Sequence, residues 1–148
     1  MRRALLLIAH GSRRQEANAD LYYFADEIRR RGAFDIVECS FLEMAQPDVL
    51  TGVCACLRQG AGQVILLPFF LSPGKHVCED LQRLCQDLAR HHPERSFVLA
   101  APLGRDPLLV DVILRRASEA AQRLSSSEPL SADACPAAFP GTQAGAGD

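Results

Sequence analysis

Long apolar runs, a positive net charge and lysine are all scarce or absent in this sequence. No segment approaches the roughly 18 apolar residues of a membrane-spanning helix, and the short N-terminal apolar run is followed by charge, unlike a cleavable signal peptide. The net charge of −2 gives no support for nucleic-acid binding, which usually needs a strongly basic face. Lys75 is the only lysine among 16 basic residues, so arginine is in large excess. Arginine suits carboxylate or phosphate contacts, but codon bias explains the excess of arginine more simply. We therefore expect a cytoplasmic protein that binds neither membranes nor nucleic acid.

The cysteines do not form an obvious functional set. In the cytoplasm they are expected to be reduced thiols, because disulfides are rare in that compartment. Cys54 and Cys56 resemble a metal-binding pair, but residues two apart on a helix point to different sides, so packing is the better interpretation. Cys78 and Cys85 are seven apart and share a predicted helix face, which we expect to be buried. The six cysteines are residues 39, 54, 56, 78, 85 and 135.

Apolar runs that end abruptly at turn residues predict four strands, each followed by a segment with the apolar spacing of a helix. The predicted strands are residues 4–9, 34–42, 63–70 and 96–100. The alternation of strands and helices predicts the α/β class, with a doubly wound parallel sheet of four strands and right-handed crossovers. The expected strand order is 2-1-3-4, as in flavodoxin-like folds, which places the first and third strands side by side at the switch point.

The chain is long enough for one domain, which we place at residues 1–125. Of the 23 residues from Ser126 onward, 15 are Ser, Ala, Gly or Pro. Such a composition buries too little apolar surface to offset the entropy lost on ordering. We therefore predict that residues 126–148 form a disordered C-terminal tail.

One polar residue with metal-binding or proton-accepting chemistry follows each of the first three predicted strands. His10 follows the first strand, Glu43 comes 33 residues later after the second, and His76 another 33 residues later after the third. Parallel strands place their carboxyl ends at one edge of the sheet, where open α/β sheets bind ligands. With neighbouring strands roughly 4.8 Å apart, these side chains are expected to lie within reach of one ion or one small substrate group.

Two imidazoles and a carboxylate suit a divalent first-row metal ion. Imidazole is also the side chain best suited to accept protons near neutral pH. Each residue alone has an ordinary explanation: His10 as a loop histidine, Glu43 as a solvated carboxylate and His76 as a helix-start residue. Their common position after successive strands favours one shared site, with all three as metal ligands and as catalytic residues.

Three segments carry a resemblance to a known family. LLLIAHGSR with the following EAN, then SFLEMAQPDV, then VILLPFFLSPGKHVCEDL resemble the class II chelatases that insert metal into sirohydrochlorin. The resemblance covers about residues 3–115 and fits the short, single-domain CbiX-like form of this family.

The resemblance implies a chelatase-like fold and the insertion of Co(II) or Fe(II), with Ni(II) as a further candidate, into sirohydrochlorin or a related carboxylate-rich tetrapyrrole. The metal is then a substrate, and no cofactor is permanently bound. His10 and His76 match the family's paired histidines, which bind metal and accept the pyrrole protons, and Glu43 matches their acidic partner. Because bacterial relatives commonly contain two such domains, this chain is expected to form a homodimer that rebuilds a two-lobed cleft.

The carboxylates of such a substrate need cations and backbone N–H groups to bind them. The candidate substrate-binding residues all lie in the loops that follow the first and third predicted strands. They are Gly11, Ser12, Arg13, Arg14, Gly74 and Lys75.

Two other functions stay open from the sequence. A non-enzymatic carrier of metal or tetrapyrrole would use the same residues. The pair His10-Gly11 also fits the phospho-accepting histidine of phosphoglycerate-mutase-like enzymes, but an arginine normally precedes that histidine, and Ala9 occupies the position here.

Overall fold

The computed structural model describes residues 1–126, and the chain separates into two compact units after Arg105. The second unit begins at Asp106 and contains α4 (Pro107–Ser126). The predicted tail, residues 126–148, lies outside the described residues except for Ser126. The elements of the first unit are β1 (Arg2–Ala9), α1 (Gln15–Arg31), β2 (Ile36–Phe41), α2 (Val49–Arg58), β3 (Ala61–Pro68), α3 (Lys75–His91) and β4 (Ser96–Leu99).

The four strands form one parallel sheet in the order β2-β1-β3-β4, which confirms the predicted fold class and strand order. Ile8 of β1 lies level with Ser40 of β2 on one side and with Pro68 of β3 on the other. The carboxyl ends of these three strands therefore meet at one edge of the sheet. We call the loops at this edge the carboxyl rim: residues 10–14 after β1, 42–48 after β2 and 69–74 after β3.

The central strand β1 is buried on both faces because helices cover both sides of it. Ala4, Leu6 and Ile8 pack in one core with residues of α2 and α3. Leu5 and Leu7 pack in a second core with residues of α1. A fully buried leucine or isoleucine contributes about 1.5–3 kcal/mol, so the three leucines and Ile8 hold the strand, and the loop that follows it, firmly in place.

All four strands differ in their bounds from the prediction. β1 begins two residues before the predicted 4–9, and β4 ends one residue before the end of the predicted 96–100. β2 is shorter than the predicted 34–42, since the Asp35 carboxylate accepts the backbone N–H of Arg3 at 2.8 Å and the strand pairing starts only after it. β3 begins two residues before the predicted 63–70 and pairs from its first residue with β1. It ends at Pro68, two residues before the predicted end, because proline has no N–H to donate to the sheet.

Local residues set the C-terminal end of α1 and the N-terminal end of α2. Gly32 ends α1 in the left-handed conformation, with its N–H donated to the carbonyl of Arg29. Asp48 caps α2 by accepting the N–H of Thr51 at 2.8 Å. Hydrogen bonds from the Thr51 side chain and backbone hold the pKa of Asp48 below its usual range. Each helix within the described part of the chain is too short or too polar to cross a membrane.

The five cysteines of the described part are free thiols. Cys56 and Cys85 are buried, Cys78 is half-buried and Cys54 is exposed, so the two members of the CxC pair point to different sides as predicted. Burial raises the pKa of Cys56 to about 12 and that of Cys39 to about 11. These two thiols are therefore protonated at neutral pH and behave as packing residues. The sixth cysteine lies outside the described residues.

Candidate active site

The carboxyl rim brings His10 and Glu43 into contact. Nε2 of His10 lies 2.9 Å from Oε1 of Glu43, and the two side chains are 64% and 52% exposed. The backbone holds the pair in place: the N–H of Leu42 donates to the carbonyl of Ala9, and the N–H of Glu43 donates to the carbonyl of His10. These bonds, 3.0 and 3.1 Å long, continue the pairing of β1 and β2 beyond the strands. The result is a fixed imidazole–carboxylate pair that is open to a ligand.

Gly11 allows the two loops to approach this closely. Its φ is +97°, and a Cβ at this position would lie 1.8 Å from the carbonyl oxygen of Glu43. Both the backbone conformation and the contact exclude a side chain. The sequence predicted Gly11 as a substrate-binding residue, and the structure places it against the backbone of the acidic partner. Its contact with a substrate stays a prediction.

Asn18 holds the loop after β1 from the first turns of α1. Its Oδ1 accepts the backbone N–H of Ser12 at 3.0 Å, and its Nδ2 donates to the carbonyl of Ser12 at 2.8 Å. The hydroxyl of Ser12 in turn accepts the N–H of Arg14 at 3.1 Å. In the sequence, Asn18 stands out only as part of the EAN motif of the family resemblance. A polar amide one turn into a helix that follows a short loop is a signal that could have identified it.

Arg13 and Arg14, the predicted cationic contacts, lie at the start of α1 and are exposed. Arg14 occupies the position before the helix and makes no side-chain cap. The ion pairs within residues 1–126 involve other side chains. Both guanidinium groups are therefore available to an anionic ligand at the carboxyl rim.

His76 lies in the first turn of α3 and is not part of the His10–Glu43 contact. Its side chain is 95% exposed, and its Nδ1 lies 3.9 Å from Oε2 of Glu79. The Lys75 ammonium lies 3.8 Å from the same carboxylate. Across residues 1–126, no group of three or more His, Cys, Asp or Glu side chains is placed to hold a metal ion. The ligand role predicted for His76 beside the other two residues stays a prediction.

The loop after β3 is tied to its neighbours on both sides. The N–H of Phe69 donates to the carbonyl of Ile8 at 2.7 Å, and the ring of Phe70 packs edge-on against His10 with centroids 6.4 Å apart. On the other side, a Cβ on Gly104 would lie 1.7 Å from the carbonyl oxygen of Leu71. Gly104 was not predicted from the sequence, because no local pattern identifies a contact between two loops this far apart in the chain.

An exposed imidazole that is hydrogen-bonded to a carboxylate has two uses at an open rim. It can bind a divalent metal ion through a ring nitrogen, with the carboxylate as a neighbouring ligand. It can also accept a proton and share it with the carboxylate. Both kinds of chemistry fit the expectation from the sequence.

Comparison with known proteins decides the family. The profile of the CbiX family matches residues 4–120. The chain belongs to the CbiX family. A curated relative of the CbiX chain is the chloroplastic sirohydrochlorin ferrochelatase of Arabidopsis thaliana, 37% identical over 109 residues, which are 74% of this chain and 48% of the relative. The sirohydrochlorin cobaltochelatase of Methanocaldococcus jannaschii is 30% identical over 138 residues, covering 77% of this chain and 96% of the relative.

Solved structures agree with the CbiX fold. A CbiX protein of cobalamin biosynthesis from Marinobacter aquaeolei superposes with a TM-score of 0.69 and 26% identity, covering 82% of this chain and 98% of that one. The sirohydrochlorin chelatase SirB of Bacillus subtilis in complex with cobalt gives a TM-score of 0.72 and 28% identity, over 80% of this chain and 51% of that one. The chain thus spans about half the length of SirB and of the plant relative, and matches nearly the whole of the shorter relatives.

Proposed function

We propose that this CbiX-family protein inserts a divalent metal ion, Co(II) or Fe(II), into sirohydrochlorin or a related carboxylate-rich tetrapyrrole. The reaction would make it a lyase of siroheme or cobalamin biosynthesis. The observation that carries the proposal is the 2.9 Å contact between His10 and Glu43 at the open end of the sheet. Relatives named for both metals and for sirohydrochlorin support the substrate class.

In the proposed reaction two pyrrole N–H bonds of the macrocycle break and the metal ion gains bonds to the ring nitrogens, so two protons must leave. His10 binds the incoming metal ion through its imidazole. Once the pyrrole nitrogens of the macrocycle replace the imidazole as metal ligands, His10 accepts a pyrrole proton. Glu43, hydrogen-bonded to Nε2 of His10, keeps the ring oriented and takes up the proton for release to water. Distortion of the macrocycle would draw on the binding energy of its peripheral acids.

His76 is proposed as the second imidazole, which takes part in metal binding and accepts the other proton. Its position supports this role, since α3 starts from the loop that follows β3, and β3 is the neighbour of β1 in the sheet. Its ring is 95% exposed and is therefore free to reach a ligand. The proposed contacts for the substrate carboxylates are the cations and backbone amides of the two loops, namely Gly11, Ser12, Arg13, Arg14, Gly74 and Lys75.

We further propose that the protein acts in the cytoplasm as a homodimer. The argument for two copies is one of size: the chain spans 51% of SirB but 98% of the Marinobacter protein and 96% of the archaeal cobaltochelatase. Two copies would supply the two lobes that a longer chelatase carries in one chain. Light scattering after size-exclusion chromatography tests this state directly.

The experiment that tests the activity is an anaerobic absorbance assay with sirohydrochlorin in large excess over the protein. Co(II), Fe(II) and Ni(II) are each added, and the metallated product is followed against a protein-free reaction. Repeated turnover supports the chelatase. An amplitude equal to the protein concentration indicates the carrier instead, and no acceleration with any of the three metals contradicts the proposal.

A further inference from the structure

A cavity of about 470 Å³ opens at the carboxyl rim, between the first turns of α1 and the loop after β2. Ser12 and Met44, which line it, are two residues from His10 and one residue from Glu43. The cavity is therefore a side pocket of the carboxyl rim, next to the proposed metal position. Its volume falls within the range of roughly 300–1,000 Å³ that is usual for small-molecule sites.

The floor and one wall of the cavity are apolar. Phe41 forms the floor and is 1% exposed, and the ring of Tyr22 leans against it with centroids 6.0 Å apart. Ala19, Met44 and Ala45 complete the apolar lining. Met44 is 58% exposed, so this apolar surface is accessible from the rim.

The polar groups of the cavity include both donors and acceptors, with a single full charge; Ser12 Oγ and Gln46 Oε1 already accept backbone N–H groups. Arg13 supplies that charge, and Gln15 and Gln46 supply side-chain amides. None of the described residues that line the cavity is acidic, because the nearby Glu43 turns its carboxylate to His10. Burial raises the pKa of Tyr22, so its hydroxyl stays a neutral donor at physiological pH.

These features fit one ring of an acid-bearing tetrapyrrole better than they fit a bare anion or an apolar ligand. A bare anion would leave the aromatic floor uncovered, and an apolar ligand would leave the guanidinium of Arg13 without a partner. A pyrrole ring with carboxylate arms covers both kinds of surface. The cavity is too small for a whole macrocycle, so the remaining rings would lie over the His10–Glu43 pair.

We infer, building on the proposed function, that this cavity is the subsite for one acid-bearing pyrrole ring of the tetrapyrrole, with Arg13 binding a peripheral carboxylate and Phe41 and Tyr22 contacting the ring. The subsite fixes how the macrocycle is turned over the metal position. It adds Ala19, Tyr22 and Met44 to the surfaces that recognise the substrate.

The test compares two cavity variants with two matched controls in the full-length protein. Ala19→Leu fills the cavity, and Ala17→Leu makes the same change two residues earlier, at an exposed position outside it. Arg13→Gln removes the charge, and Arg31→Gln makes the same change in the last turn of the same helix. Thermal unfolding establishes that all four variants are folded, and because Arg13 is exposed, its variant does not depend on repacking.

The first readout is the affinity for metal-free sirohydrochlorin, from its fluorescence. We expect Ala19→Leu and Arg13→Gln to weaken binding about tenfold, the scale of one charged hydrogen bond or one blocked contact. Both controls should bind within about twofold of the wild type. Equal affinities for cavity variants and controls, or no binding to the wild type, would overturn the subsite.

The second readout is Co(II) insertion, which separates this inference from the proposed function. In an active wild-type enzyme, the cavity variants should raise the KM for sirohydrochlorin about tenfold and leave the KM for Co(II) unchanged. A wild type without turnover whose cavity variants still lose affinity would support the subsite and refute the chelatase activity. If the cavity variants and the controls turn over with the same KM for sirohydrochlorin, the subsite is refuted and the chelatase activity is still supported.

Discussion

The two halves of the carboxyl rim are built differently. In the half formed by the loops after β1 and β2, backbone hydrogen bonds, the side chain of Asn18 and the cap by Asp48 hold the segments that carry His10 and Glu43. In the half formed by the loop after β3, backbone hydrogen bonds hold Phe69 and Phe70, but α3 starts at Gly74 without a side-chain cap and His76 is 95% exposed. One half is organised before any ligand arrives, and the other presents its imidazole to solvent.

This difference indicates a division of labour in the proposed reaction. A side chain that is already oriented loses little conformational entropy when a ligand binds, whereas ordering a free side chain costs about 0.5–1.5 kcal/mol. The His10 half is therefore suited to the first contact with the metal ion. The His76 half is suited to a contact that forms only when metal and macrocycle are both present.

The largest expected effect comes from removing either imidazole. His10→Ala and His76→Ala should each lower kcat for Co(II) insertion by about 10²–10⁴-fold, the usual range for loss of a general acid–base group. Both variants should keep the wild-type melting temperature, since the two side chains are 64% and 95% exposed. Absorbance kinetics and thermal unfolding provide the two measurements.

The matched control for both variants is His91→Ala, near the other end of α3, where the ring is hydrogen-bonded only to the carbonyl of Asp87 within the described residues. It should retain full activity. If His76→Ala is as active as this control, the reaction depends on the His10 half alone, and the proposed role of the second imidazole is wrong.

The next largest effect is on stability, at Gly11, where the loop after β1 contacts the loop after β2. Gly11→Ala should lower the free energy of unfolding by about 2–4 kcal/mol, because the residue is at φ +97° and its Cβ would overlap the carbonyl of Glu43. Gly74→Ala is the comparison in the other half: no atom lies within 4 Å of its Cβ, and it should change stability by less than about 0.5 kcal/mol. Urea denaturation measures both, and equal values would refute the close contact.

Asn18→Ala should have a smaller effect on stability and a separate effect on catalysis. It removes two hydrogen bonds to Ser12, which we expect to lower the free energy of unfolding by about 1–2 kcal/mol. Because the loop it holds carries both His10 and Arg13, and Asn18 also lines the proposed subsite, kcat should fall about fivefold and the KM for sirohydrochlorin should rise as well. Asn18→Asp retains the acceptor for the Ser12 N–H but loses the donor, so its kcat should be intermediate.

The exposed acid Asp20, on the same helix, provides the control. If Asp20→Ala lowers kcat as much as Asn18→Ala, the loss is a general effect of altering α1, and Asn18 has no positioning role.

The fold could be predicted from the sequence because its signals are local. The unbroken apolar run of β1, Gly32 after α1 and Pro68 at the end of β3 each act within a few residues of their own position. The strand order follows from general rules of parallel sheets. The start of β2 was predicted wrongly because the Asp35 side chain, instead of a backbone carbonyl, accepts the N–H of Arg3. The pattern of apolar residues does not indicate this hydrogen bond.

The site could be predicted only in part. Equal spacing placed His10 and Glu43 at the ends of adjacent strands, and side chains at the ends of adjacent parallel strands are close neighbours. The hydrogen bonds of Asn18 depend on a loop path that the positive φ of Gly11 sets, and the direction of His76 depends on how α3 leaves its loop. Both are tertiary properties, which residue spacing does not determine.

A weaker, pH-dependent effect is expected at the cap of α2. The folded-state pKa of Asp48 is lowered by its bonds to Thr51, so the cap stabilises the protein above the ordinary carboxyl pKa of 3.8, and this stability is lost as the pH falls through the lowered value. Asp48→Ala should therefore lower the melting temperature at pH 7 and differ less from the wild type at pH 3. Asp48→Asn retains the acceptor without titrating and should show no such convergence, and the cap assignment would be wrong if both variants behaved alike.

The smallest effect should come from giving α3 the cap that α2 already has. Gly74 has φ −63° and ψ 153°, which a serine adopts without strain. The hydroxyl of that serine can accept a backbone N–H of the first turn of α3. Gly74→Ser should raise the free energy of unfolding by about 0.3–1 kcal/mol. The same hydroxyl competes with the substrate carboxylates for that N–H, so the KM for sirohydrochlorin should rise about two- to threefold. A stabilised protein with an unchanged KM would mean that the open start of α3 serves only to present His76 and binds no part of the macrocycle.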